Sequence, residues 1–385
     1  MPRITVLMAV YNGGRHLREA VDSILQQSFG DFEFLIFDDG STDNTRDLLR
    51  TYDDRRIRLI DNGTNLGLTR TLNRGMRIAA GEFLARQDAD DVSAPERLEK
   101  QLSFLDAHRD VVMVGSWYKK IDETGQPLGD RALPSDPTDL RFCLLFYCPF
   151  VHSAVMFRRD SVLSGAGLYD ETIHYAQDHD LWSRIARRDS VANLPEYLLS
   201  YRIADLSMSS TYGRAVDDDH DRIVTTNVRE LLGSREVRRI GVSASTCRLM
   251  RVLLTGVPRD FDPHGVDRAV VSMRQLHQSF CAYYGLSAEE ARTHRSKVFS
   301  AVKNNLIGMA HRFADHNRYV EARQCVAGAM AARFSAIFED GTWRLAAKLV
   351  AGPRTVEALR RMRRARTNRS GPGAESVRPP TASDR

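Results

Sequence analysis

The first 210 or so residues predict an α/β domain on a largely parallel sheet, and the rest predicts a mainly helical region. Three observations carry this. Short apolar runs alternate with segments of helical spacing. Two acidic clusters come directly after the second and fourth of those runs. From about Val216 onward only helical spacing remains. Strands that alternate with helices build an α/β layer.

Ile4–Val10 (ITVLMAV) is a continuous, β-branched apolar run, the pattern of a parallel strand buried on both faces. Leu17, Val21, Ile24 and Leu25 recur at helical spacing. Phe32–Phe37 reads as a second strand, with a helix through Leu48, Leu49 and Tyr52 whose N-cap is Ser41 or Thr42. Ile57–Ile60 is a third strand, Leu68–Ala80 a helix ended by Gly81, and Glu82–Gln87 a fourth strand. Ser93-Ala94-Pro95-Glu96 fits a capping box before a helix whose stripe is Leu98, Leu102 and Leu105. Val111–Tyr118 is a fifth strand.

Beyond the sheet domain, residues 216–352 form a helical accessory region, with helices over Ile223–Leu232, Cys247–Leu254, Val266–Tyr284, Lys297–Phe313, Tyr319–Phe334 and Trp343–Val350. Residues 353–385 are a basic helix end and a disordered tail. Arg354–Arg369 holds seven Arg and one Glu. That segment reads either as a solvated helix end or as a basic amphipathic helix making peripheral contact with an anionic membrane.

Composition sets the class. A chain of 385 residues with 42% hydrophobic and 27% charged residues is of ordinary globular make-up. A net charge of +5 is too small to argue for nucleic acid as a partner. The five cysteines are scattered, with no C-x-x-C pair, so they read as reduced thiols. Ile4–Val10 lacks the length and flanks of a signal peptide, and Phe142–Val151 is too short to span a bilayer. The expected location is the cytoplasm, with the basic segment reaching the inner face of the membrane.

The acidic clusters point to the chemistry. The second strand runs into Asp38-Asp39-Gly40-Ser41-Thr42-Asp43, and the fourth into Asp88-Ala89-Asp90-Asp91. Parallel sheets bind ligands at the carboxyl ends of their strands, so the two clusters are expected to converge on one edge. Four or more carboxylates there repel one another, and a divalent cation held by oxygen ligands, Mg²⁺ or Mn²⁺, is the economical compensation.

These residues carry a resemblance. Val6-Leu7-Met8-Ala9-Val10-Tyr11-Asn12 and the two acidic clusters resemble the family 2 glycosyltransferases of the GT-A fold. Further matches occur in order: Asn65-Leu66-Gly67-Leu68, His152 to Arg158, Gln177-Asp178-His179-Asp180-Leu181-Trp182, Asn193-Leu194-Pro195-Glu196 and Tyr201-Arg202. The likeness spans residues 1–210. It implies a nucleotide-diphospho-sugar transferase domain with a Rossmann-like mixed sheet. The partners implied are a nucleotide-diphosphate sugar and a glycan or lipid-linked glycan acceptor, as in cell-surface polysaccharide or glycoconjugate synthesis.

It also implies roles. Val10, Tyr11, Asn12, Asn65 and Arg202 fall on donor-binding positions. Asp39 accepts from the base, which suits the N3–H of uracil or thymine and disfavours cytosine. UDP and dTDP sugars are therefore expected over CDP sugars. The family's DxD motif falls on Asp88, near the ribose, and Asp90, which holds the metal on the diphosphate; Asp91 assists through water. The catalytic-base segment offers Asp178 and Asp180. Asp178 precedes Leu181, Trp182 and Ile185 by three, four and seven residues, which puts it on the inward stripe, whereas Asp180 shares the solvated face of Ser183, Arg184 and Arg187. Asp178 is therefore the expected base of an inverting transfer.

Two departures stand out. Gln177 replaces a usual Glu, and Ala204 stands where a His often helps to hold the metal. His152 and His174 are the histidines expected to approach the pocket. A nucleotidyltransferase and a non-catalytic nucleotide-sugar- or glycan-binding module are the alternative readings. A processive synthase is disfavoured, since no Gln-x-x-Arg-Trp segment occurs.

Overall fold

A computed structural model describes residues 1–203, 213–256, 261 and 263–332. Ala204, the Trp343–Val350 helix, the basic segment 354–369 and the tail lie outside the described residues.

β1 (Ile4–Val10), α1 (Leu17–Leu25), β2 (Phe32–Asp38), α2 (Thr45–Arg50), β3 (Ile57–Asp61), α3 (Leu68–Ile78) and β4 (Phe83–Arg86) alternate as the apolar runs predict. These four strands are parallel, with β1 between β2 and β4. Next come β5 (Val92–Ser93), α4 (Arg97–Ala107), β6 (Val111–Ile121), β7 (Pro127–Arg131) and α5 (Pro137–Leu144). A short turn of helix at His152–Ala154 precedes β8 (Met156–Arg158), α6 (Arg159–Gly165), α7 (Gln177–Arg188) and β9 (Ser190–Arg202). The order across the sheet is β3-β2-β1-β4-β8-β6-β9-β5, with β7 beside β6. β8 runs antiparallel to both β4 and β6, so the sheet is mixed and its parallel part is smaller than the alternation predicts.

Period-two alternation sorts the core into two layers. Val6, Met8, Phe34 and Ile36 pack with Leu17, Ile24, Leu98 and Leu102 on one face. Leu7, Leu35 and Phe37 pack with Leu72, Met76, Leu181 and Trp182 on the other. Each such side chain contributes ~1.5–3 kcal/mol on burial. α3 lies close to the sheet because Gly75 has no side chain: a Cβ there would sit 2.3 Å from Leu7 Cδ1.

Two expected caps fall elsewhere. α4 starts at Arg97 with Glu96 at the N-cap and no side-chain cap. Ser93 is claimed by the sheet, since β5 pairs with β9, and its hydroxyl donates to Gln87 Oε1 at 2.7 Å. α2 starts at Thr45 behind Asn44, because Ser41 and Thr42 are bonded to Asn12 instead.

After the sheet come α8 (Gly213–Ile240), broken by Gly233 at φ +72°, then α9 (Ala244–Thr255), α10 (Val266–Tyr283), α11 (Ala288–Asp315) and α12 (Tyr319–Ala332). The described chain divides into two compact units, Met1–Arg251 with Ser272–Arg295, and Val252–Val271 with the described residues from Ser296 to Ala332. In the second unit, Gly328 of α12 packs tightly on Val266, where a Cβ would come within 2.3 Å. Among the described residues, no helix is long and apolar enough to cross a membrane.

Candidate functional site

The first unit carries the predicted site residues. β2 and β4 flank β1 in parallel, so Asp38-Asp39 and Asp88–Asp91 emerge on one sheet edge, a strand apart. They do not merge into one anionic cluster, because most of these carboxylates have partners of their own.

Asp38 is buried, accepts from Ser41 N–H at 2.9 Å and pairs with Arg46 at 3.0 Å. Burial would raise its pKa, but the Ser41 bonds and the Arg46 charge win and hold it below the ordinary value. Asp39, 3% exposed, turns toward the loop after β3. Its Oδ1 accepts from Asn62 Nδ2 (2.6 Å), Leu66 N–H (3.0 Å) and Thr71 Oγ1 (2.8 Å), and its Oδ2 from Gly67 N–H (2.9 Å). One carboxylate thus organises the whole Asn62–Thr71 turn. The turn crowds Gly40, which adopts φ +77° and whose Cβ would fall 2.5 Å from the Thr64 backbone. Only glycine meets both demands.

The chain leaving β1 is stitched to the same edge. Val10 is buried, and its carbonyl oxygen accepts from Asp39 N–H. Tyr11 is 49% exposed. Asn12, at φ +52°, donates its N–H to Ser41 Oγ and accepts from Thr42 N–H at 2.8 Å. Asn65 is exposed and accepts from Gly67 N–H. Asn65 to Arg70 face Glu171, His174 and Tyr175 across a cleft of about 560 Å³. Arg70 Nε lies 3.3 Å from Glu171 Oε2.

The acid loop after β4 rests on a buried polar frame. Gln87 Nε2 donates to the carbonyl oxygens of Asp88 and Asp91, and Gln87 Oε1 accepts from Arg97. Arg97 also donates to Arg86 O at 2.6 Å, and Gln101 Nε2 to Ala154 O at 2.7 Å. Sequence reasoning missed this frame. Its signal was present: Arg86-Gln87 interrupts an apolar strand, and Arg97 and Gln101 stand at i, i+4 beside the Leu98 stripe.

The loop's three carboxylates differ. Asp88 is half-buried and paired with Arg86. Asp90 is exposed at the tip, where the crowding of the loop and then the Asp88 charge raise its pKa above the ordinary carboxylate value. Asp91 is buried, bonded by the Ser153 hydroxyl and by Arg202 N–H. Burial raises its pKa well above the usual range. It is a brace within the protein, not a group reaching a ligand through water. Among the described residues no group of three His, Cys, Asp or Glu side chains could hold a metal. At Asp90 the nearby Asp88 charge is a repulsion that a cation would relieve. That suits a Mg²⁺ or Mn²⁺ completed by phosphate and water.

Arg202 is placed differently from the expectation of a donor ligand. It is 2% exposed, and its guanidinium donates to Asp90 O and Asp122 O at 2.9 Å and to Glu19 at 2.5 Å. Burial at the end of β9 takes it out of reach of a phosphate and makes it a clamp on the acid loop. Arg202→Ala is therefore expected to lower the melting temperature by roughly 10 °C without nucleotide present. A thermal melt checks this; an unchanged melt with lost donor affinity would return Arg202 to the phosphate.

Asp178 stands at the start of α7, half-buried. Burial pushes its pKa up to about 6, against the His179 backbone N–H and with help from the Asp88 charge. The Cys148 thiol, which donates to Phe150 O at 3.3 Å, is near enough to act on the Asp178 carboxylate and hold its pKa down, a neighbour that sequence spacing does not reveal. Asp180 is spoken for by Arg184 at 2.7 Å. Asp178 does share the buried stripe of Leu181, Trp182 and Ile185, but the face of Asp180 is not solvated as expected: Ser183 is buried, and Arg184 reaches the carbonyl oxygens of Ala166 and Leu168. Gln177 is buried, with no partner for Oε1. His152 bonds Tyr169 Oη at 2.9 Å, and burial brings its pKa down to about 3, so it is neutral. His174 lines the cleft.

The same residues align with known proteins. The family model described as glycosyl transferase family 2 matches residues 5–164. The chain is 34% identical over 203 residues to the amylovoran biosynthesis glycosyltransferase AmsE of Erwinia amylovora, covering 51% of this chain and 75% of that protein. It is 32% identical over 211 residues to the O-antigen biosynthesis glycosyltransferase WbnJ of Escherichia coli, covering 53% and 81%. The crystal structure of S. aureus TarS 1–349 in complex with UDP-GlcNAc aligns with a TM-score of 0.52 at 16% identity, over 85% of this chain and 91% of that one, a likeness of fold.

Proposed function

The chain belongs to glycosyl transferase family 2, and on that premise we propose that it moves a sugar from a UDP- or dTDP-sugar to a hydroxyl acceptor with inversion, in the synthesis of a cell-surface polysaccharide or glycoconjugate. The observation that carries the proposal is Asp178, a half-buried carboxylate with a pKa near 6, a useful range for a base at neutral pH.

The residues divide the work. Asp39 presents Oδ2, which has one protein donor against three on Oδ1, to the N3–H of uracil or thymine. Val10, Tyr11, Asn12 and Asn65 border the nucleotide. Asp90 would hold a Mg²⁺ or Mn²⁺, with Asp88 beside it near the ribose; the ion would supply Lewis-acid charge neutralisation for the leaving nucleotide. Asp178 takes the proton of the acceptor hydroxyl as its oxygen bonds to the anomeric carbon and the nucleotide diphosphate departs from the opposite face. The polysaccharide names of AmsE and WbnJ and the UDP-GlcNAc held by TarS support the substrate classes.

The test is a transfer assay with UDP- and dTDP-sugars, with the product anomer read by NMR. Inversion, loss of turnover in EDTA and its return with Mn²⁺ or Mg²⁺ are expected. Retention of configuration, or full turnover after exhaustive chelation, would refute the corresponding part.

A further inference from the structure

The segment that leads into Asp178 has almost no regular structure: a turn at 171–172 and a bend at 174–175. It is held from outside by α8. Asp219 Oδ2 accepts from the backbone N–H groups of both His174 and Tyr175, each at 3.0 Å. One turn on, Arg222 donates to Thr172 Oγ1 at 3.1 Å, and Ile223 packs with Ile173 and Ala176. A turn further, Asn227 Nδ2 donates to Leu144 O and to Ser183 Oγ, while its Oδ1 accepts from Arg187 at 3.0 Å. His220 meets His179 ring to ring, Nδ1 to Nδ1 at 3.1 Å. Positions 219, 223 and 227 recur at i, i+4 and i+8, so one stripe of α8 holds the base segment through Asp219 and Ile223 and α7 itself through Asn227.

We propose that Asp219 is a positioning residue for the transfer. By accepting two successive backbone N–H groups of the segment before α7, it fixes the first turn of α7 and so the place of Asp178. α8 is then part of the catalytic unit and not an accessory to it. Two features favour positioning over general packing. Both bonds converge on a single ionised oxygen, and bonds to an ionised acceptor are roughly twice as strong as neutral ones. The anchored residues lie four and three positions before Asp178, so a shift of the anchor passes directly to the carboxylate. A misplacement of about 1 Å costs ~10²-fold in rate. The inference rests on Asp178 being the base.

The test compares Asp219→Ala, Asp219→Asn and Asp178→Asn in the full-length chain, reading kcat, UDP affinity by calorimetry and the pH profile of kcat. Asp219→Ala is expected to lose ~10–100-fold in kcat with UDP affinity nearly unchanged. Its acidic limb should move below that of the wild type as water reaches Asp178. The other groups acting on that carboxylate, Asp88 from the acid loop and Cys148 after α5, are untouched by the change. Asp219→Asn should restore most of the rate, since its one carbonyl oxygen can take both N–H groups. Wild-type kcat with an unmoved limb in Asp219→Ala overturns the proposal. So does an equal fall in both Asp219 variants together with lost UDP affinity, which is the pattern of general damage. If the alanine variant does not fold, amide exchange at His174 and Tyr175 in the intact protein decides: protection that falls in Asp219→Asn less than threefold is expected, and no protection in the wild type overturns the anchor. Full activity in Asp178→Asn would refute the base assignment itself, whatever Asp219 does.

Discussion

Asp178→Asn is expected to lose ~10²–10⁴-fold in kcat, the usual worth of general-base assistance, while UDP affinity stays close to wild type. The amide keeps the shape of the carboxylate and cannot take the proton. The wild-type rate should fall as pH drops through about 6, where Asp178 becomes protonated. Stability should move the other way. The folded-state pKa lies above the ordinary value of 3.8, so the ionised carboxylate is penalised in the folded protein above about pH 6. That penalty fades as pH falls through 6 and is gone below the unfolded value. The asparagine variant should therefore melt a few degrees higher than wild type at pH 8 and show no such gain near pH 4. A variant with wild-type turnover, or one less stable at pH 8, would count against the assignment.

The second large effect is at Asp39. Asp39→Ala removes the shared acceptor of the Asn62–Thr71 turn: Leu66 N–H and the Thr71 hydroxyl lose theirs, while Gly67 N–H keeps Asn65 Oδ1 and Asn62 Nδ2 keeps Thr71 Oγ1. Leaving buried donors unpaired costs roughly 1–3 kcal/mol each, though not additively, so a loss on the order of 10 °C in melting temperature is expected. Asp39→Asn separates fold from function. Its Oδ1 can keep the three-donor side, while its amide N–H₂ then faces Gly67 N–H and the base N3–H, donor against donor. It should melt much closer to wild type and still bind UDP at least ~10-fold more weakly. Calorimetry with UDP checks this, and unchanged affinity in the asparagine variant would remove Asp39 from base recognition.

These two residues also show how much was legible in the sequence. Asp39 stands in an acidic cluster at a strand end, and Asp178 stands three, four and seven residues before an apolar stripe, while their roles come from the family resemblance. Both signals are local and periodic, and local periodicity survives in a bare sequence. Arg202 shows the limit. Its position at the end of the last strand suggests a phosphate ligand, but Glu19, Asp90 and Asp122 come to it from distant parts of the chain. No spacing rule relates residues so far apart. The same holds for Cys148 beside Asp178 and for the Gln87–Arg97–Gln101 frame under the acid loop.

By itself, then, the sequence determined the alternation of the first four strands with their helices, the edge on which the acidic groups stand, and the helical character of the chain beyond the sheet. Apolar periodicity and strand-end chemistry are written residue by residue. Tertiary structure alone decided that β8 runs against its neighbours, and which carboxylates stay at the ligand face and which are consumed inside the protein. It also decided that a helix beyond the sheet grips the segment leading to Asp178. The physical reason is common to all three. A carboxylate's charge, burial and partners are set by groups brought beside it only when the chain folds, and a single buried cation or pair of backbone N–H groups is enough to turn a candidate ligand into a brace, or a loop into a support for catalysis.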